Sequence, residues 1–139
     1  MSKMKPGVVM SDGFVLDASA LLCLLKGEVG AERVLAVLPR AWISPVSLLE
    51  TYAHLAALGG TEERIALAIE GLHLRVVPFD TLQARAAGML QPTAQAFALS
   101  LGDCASLALA RQRGATALTT HRAWADLAEP LGVVVELVG

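Results

Sequence analysis

Five short apolar runs, at residues 13–16, 41–43, 74–77, 115–119 and 133–137, are each separated from the next by residues with helical spacing, and this alternation restricts the fold more than any other feature. Strands joined by helices cannot form tight hairpins. They cross over, in the right-handed sense, into a mainly parallel sheet with helices on both of its faces. The expected class is therefore α/β, with the functional crevice outside the carboxyl ends of the strands.

Glycine and proline mark where the elements stop. Lys26-Gly27 ends a helix over 18–25, and Pro39 ends a second over 28–38. Ser44-Pro45 is an N-cap followed by proline at the first helical position, opening a helix that runs to Leu58. Gly59-Gly60 closes it, and Thr61-Glu62-Glu63 opens the next, which runs to Glu70. The Ala-rich stretch 81–98 contains Gly88 and Pro92 and is expected to break there. Ser100 then starts a helix to Arg113 with Gly114 behind it, and a short helix is expected over 122–129. Residues 1–12 show no periodicity and read as an N-terminal leader ahead of one domain over 13–139, a suitable length for a single core.

The hydrophobic share of 55% calls for a thick core or for burial against a partner. A membrane span does not account for it. The longest uncharged stretch, 86–102, is interrupted by Gln91, Pro92, Thr93 and Gln95, and spanning takes about 20 consecutive apolar residues. The first residues carry lysines but no apolar signal core, so the expected location is cytoplasmic. Cys23 and Cys104 lie in apolar helical surroundings without ligand spacing and read as small buried hydrophobes. A formal net charge of −2 leaves no overall footprint for nucleic acid, so a polyanion would need a local basic patch or a metal. Lys26, Arg113 and Arg122 are too few to form such a patch and read as solvated charges.

Three acids fall in apolar surroundings and can reach one rim of the sheet: Asp17 after the first strand, Glu50 in the helix after the second, and Asp103 at the start of the helix before the fourth. Each has a structural reading. Asp17 suits the N-cap of the helix behind it, Ser100 and Asp103 have capping-box spacing, and Glu50 suits a solvated helix position. Those readings leave the gathering of carboxylates unexplained, whereas a divalent cation explains it. Oxygen ligands at a sheet edge suit Mg²⁺ or Mn²⁺, which bridge readily to phosphate.

The segments V-L-D-A-S-A-L-L around Asp17, S-P-V-S-L-L-E ending at Glu50, L-S-L-G-D-C-A-S-L-A-L-A around Asp103 and A-L-T-T-H-R-A-W-A-D-L near the end resemble those of the PIN-domain ribonucleases. Within that family the similarity is to the toxins of VapC-type toxin–antitoxin pairs. The resemblance implies a three-layer α/β/α fold, an acidic site holding Mg²⁺ or Mn²⁺, an RNA substrate, a cognate antitoxin and a homodimer. It matches Asp17, Glu50 and Asp103 to catalytic, metal-holding acids and Ser19 to a hydroxyl residue near the metal. At the fourth position relatives commonly carry Thr-x-Asp-Arg, and this chain has Thr119-Thr120-His121-Arg122, which makes His121 a candidate ligand in place of an acid. Asp126, five residues on, would sit ~140° round an α-helix from His121. His121 also motivates a second reading, a PIN domain that binds RNA or an antitoxin and cuts weakly or not at all. A nucleotide-binding α/β domain ranks behind both, because the chain has neither G-x-x-x-x-G-K-[ST] nor G-x-G-x-x-G.

Overall fold

The computed structural model describes residues 12–139. Its elements follow the order β1 (Phe14–Leu16), α1 (Ala18–Leu25), α2 (Ala31–Val37), β2 (Ala41–Ile43), α3 (Pro45–Ala57), α4 (Glu62–Glu70), β3 (Arg75–Val76), α5 (Thr81–Gly88), α6 (Gln91–Ala96), α7 (Leu101–Arg113), β4 (Thr116–Thr119), α8 (Ala128–Leu131) and β5 (Val134–Leu137). The strands form one sheet in the order β3-β2-β1-β4-β5, and every pairing is parallel. Val15 lies opposite Trp42 on one side and Ala117 on the other; Leu16 lies opposite Ile43 and Leu118.

β1 is apolar at every position because both of its faces are covered. Phe14 and Leu16 enter a core shared with Leu21 of α1 and Val34 and Val37 of α2. Val15 points the other way, into a core with Leu107 of α7, Trp124 and Leu127. These two cores make the three layers. The second is built on α7, which is buried continuously from Gly102 to Ala110. The chain runs outward from β1 through β2 and β3, then returns to lay β4 on β1's free side. The direction of winding therefore reverses between β1 and β4, and their carboxyl ends flank the crevice.

Several boundaries depart from the sequence expectations. The helix expected over 28–38 starts later, at Ala31, because Gly30 takes a left-handed φ of 103° and supplies the N-cap. Pro39 sits inside a 3-10 turn, Leu38–Arg40, rather than ending the α-helix directly. The segment 81–98 does divide, with α5 ending at Gly88 and α6 carrying Pro92 in its first turn. The stretch 122–129 is not one α-helix but a 3-10 turn, Arg122–Asp126, followed by α8. Cys23 and Cys104 are buried and form no disulfide. No described helix is long and apolar enough to cross a membrane. The expected leader lies outside the described residues except for Asp12.

Candidate metal centre

Leu16 ends β1, and Asp17 follows in extended conformation as the N-cap of α1. Its Oδ1 accepts hydrogen bonds from the Ala20 amide at 2.8 Å and from Ser19 Oγ at 2.7 Å. Its Oδ2 accepts from Thr119 Oγ1 at 2.6 Å, at the end of β4. The Thr120 amide donates to Ser19 Oγ at 2.9 Å and the His121 amide to Thr119 Oγ1 at 3.0 Å, which stitches the end of β4 to the start of α1. Asp17 is only 1% exposed. Burial pushes its pKa above the ordinary 3.8, against the downward pull of Thr119, Ser19, the Ala20 amide and His121. Oδ1 already has two donors and Oδ2 one, so Oδ2 retains a free lone pair.

Asp103 repeats the arrangement from the other side of the crevice. It is the third residue of α7 and completes a capping box. Its Oδ2 accepts from the Ser100 amide at 2.9 Å, and Ser100 Oγ accepts from the Asp103 amide at 3.1 Å. Its Oδ1 stands 4.0 Å from His121 Nε2, and Asp17 Oδ2 stands 3.8 Å from the same nitrogen. One ligand atom from each of Asp17, Asp103 and His121 lies within 4.8 Å of the other two. Ligands about 2.1 Å from an octahedral Mg²⁺ are separated by about 3.0 Å when adjacent and about 4.2 Å when opposite. The 3.8 and 4.0 Å separations lie between those two values, so the three donor atoms are close enough to share one small divalent cation after small side-chain adjustments.

His121 is half exposed at 50%, and its side chain caps no helix. Its ring centroid lies 6.1 Å from that of Trp124, tilted by 41°. Glu50 on α3 stands outside the three-residue group, with its carboxylate against Gly102, the residue before Asp103. One turn away a buried hydrogen bond of 2.7 Å between Ser47 and Ser106 ties α3 to α7. Asp126 is exposed and is not in the group. Of the basic residues, Lys26 is 3.6 Å from Glu28, Arg113 stacks on Trp42 at the far end of α7 from Asp103, and Arg122 is exposed. Thr119 is the contributor that sequence reading missed. Its only signal was position, a hydroxyl at the carboxyl end of the strand beside β1.

A three-layer α/β/α domain with an all-parallel sheet and a carboxylate–imidazole cluster at its switch point is the class that fold and site define. Residues 14–130 match the PIN domain model, and the chain belongs to that family. Among solved structures it is similar to a chain of the DNA-bound VapBC from Salmonella typhimurium, with 21% identity, TM-score 0.66, and 91% of this chain and 98% of that one covered. It is also similar to VapBC2 from Rickettsia felis bound to a promoter DNA fragment, with 15% identity, TM-score 0.67 and the same coverages of 91% and 98%. VapBC-5 from Mycobacterium tuberculosis, a member of the VapBC family of toxin–antitoxin systems, matches with 20% identity, TM-score 0.56, and 92% and 98% covered. No curated protein sequence matches significantly.

Proposed function

We propose that the protein is a metal-dependent endoribonuclease, the toxin of a toxin–antitoxin pair, which hydrolyses RNA phosphodiesters with Mg²⁺ or Mn²⁺. One observation carries this reading. Asp17 and Asp103 each commit one oxygen to a helix cap and hold the other facing the same imidazole, so both carboxylates are rigid and incompletely compensated. Bound there, a divalent cation supplies positive charge to the phosphate and acidity to water. Asp17 and Asp103 would hold it, His121 would contribute a nitrogen, and Glu50, at the edge of the cluster, would orient the attacking water or help to hold an ion. Thr119 and Ser19, whose hydroxyls lie 3.2 Å apart, fix the rotamer of Asp17 by each bonding one of its two oxygens. RNA cleavage should stop with EDTA and with Asp17→Asn, and cleavage that persisted in the variant would sink the proposal.

His121 favours a second reading, an RNA- or antitoxin-binding PIN domain that does not cut. Calorimetric titration separates the two, since the nuclease must take up Mn²⁺ or Mg²⁺ and the binding module need not. Under either reading we place the antitoxin on an apolar groove of about 280 Å³ between α3, α5 and α7, lined by Val46, Phe79, Ala84, Ala87 and Leu101. A groove of that character takes the apolar face of an amphipathic segment, while a basic side chain beside it can approach the acids. The VapBC complexes among the structural neighbours support a protein partner. Co-expression with the product of the adjacent gene should yield a stable complex.

A further inference from the structure

Gly102 is the second residue of α7, and its own backbone does not call for glycine. It is helical, and it is absent from the residues with positive φ. Alanine is the better helix former at such a position. The obstacle to a side chain is Glu50. A Cβ added to Gly102 would overlap the Glu50 carboxylate, with Oε1 and Cδ well inside contact distance and Oε2 at 3.0 Å. The Glu50 side chain therefore crosses from α3 to α7 over the bare backbone of the residue that precedes Asp103.

α3 is held where it cannot slide to another route. Ser47, three residues before Glu50, shares a fully buried hydrogen bond of 2.7 Å with Ser106, three residues after Asp103. Thr51 Oγ1 donates to the Ser47 carbonyl at 2.8 Å and is itself fully buried. With this register fixed, only the outer atoms of Glu50 are free to respond to an obstruction.

We infer that Gly102 is a positioning residue: its missing side chain is the slot through which α3 lays the Glu50 carboxylate beside Asp103, and a larger residue there turns Glu50 away from the metal centre. The functional half of this inference rests on the metal-dependent reading above. Gly102→Ala separates positioning from folding, because the atoms it meets are the far end of a flexible side chain and can move without unfolding the helix pair.

The variant should keep the wild-type thermal transition, while its crystal structure shows the Glu50 carboxylate displaced from α7. Its Mn²⁺ affinity should fall by about 10- to 100-fold, the usual range for losing a residue that orients a metal site. Cleavage should lose kcat more than KM. Adding Glu50→Asp, one methylene shorter, should recover part of the affinity in the Gly102→Ala background while lowering it in the wild type. An unmoved carboxylate, or unchanged Mn²⁺ affinity beside a wild type that binds Mn²⁺, overturns the inference. A wild type that takes up no Mn²⁺ overturns the metal reading instead, and the crystallographic position of Glu50 then decides the slot alone.

Discussion

Asp17 carries its charge where burial opposes it, and that conflict has a measurable sign. Its folded pKa lies above the ordinary 3.8, so between those two values the folded state binds more protons than the unfolded one. Stability from this group is then greatest below 3.8 and declines as pH rises through the folded value. Asp17→Asn keeps an oxygen for the Ala20 amide and removes the charge, so at pH 7 without metal its Tm should exceed the wild type's by a few degrees. Saturating Mn²⁺ should reverse the order, because a ligand bound only by the folded form stabilises it by mass action. A lower Tm for the metal-free variant would contradict the electrostatic account. His121→Asp tests the neighbouring ligand. An added anion should tighten Mg²⁺ binding and speed Mg²⁺-dependent cleavage, since a neutral imidazole suits Mn²⁺ better than the harder ion. Unchanged affinities for both ions would retire His121 as a ligand.

At the level of elements, α7 carries both the core and half of the site. Ser100→Ala should cost about 1 kcal/mol through loss of its N-cap hydrogen bond, read as a lower denaturation midpoint. The Ser100 amide that holds Asp103 Oδ2 survives the change, so metal affinity should fall no further than the loss of folded protein explains. Leu107→Ala, fully buried on the same helix, should cost about 2–5 kcal/mol and leave the acids in place in whatever fraction stays folded. The strands and most helices were legible because glycine, proline and capping residues fall at their ends. Gly30 misled because its left-handed backbone starts a helix where composition only suggested continuity. The 3-10 turn after His121 was hidden for a related reason: a spacing of five residues reads as helical phase only if the helix is α. The acids could be placed on one rim from topology. Which oxygen of each would face the imidazole depends on cap geometry, and sequence does not encode that separately from the cap itself.

For the whole molecule, the apolar composition is only partly absorbed by the two cores. Met89 and Leu101 are 74% and 77% exposed, and Leu49 and Leu67 also face outward from α3 and α4. We propose that the exposed leucines of α3 and α4 pack against a second copy, the homodimer that the family resemblance implies, and a stable pair would bury about 1,200–2,000 Å². Sedimentation at micromolar concentration should return twice the chain mass; monomer alone would count against the pairing. The caps described above also bear on how such a gene changes over time. Asp17 and Asp103 hold helix ends with the same carboxylates proposed for the chemistry, so deleting either side chain threatens the fold. Asparagine caps a helix about as well as aspartate, and one base change in an aspartate codon produces it. If the protein is the toxin proposed above, a cell under selection to disarm it thus has a short route to a folded, inert copy still able to occupy the proposed antitoxin.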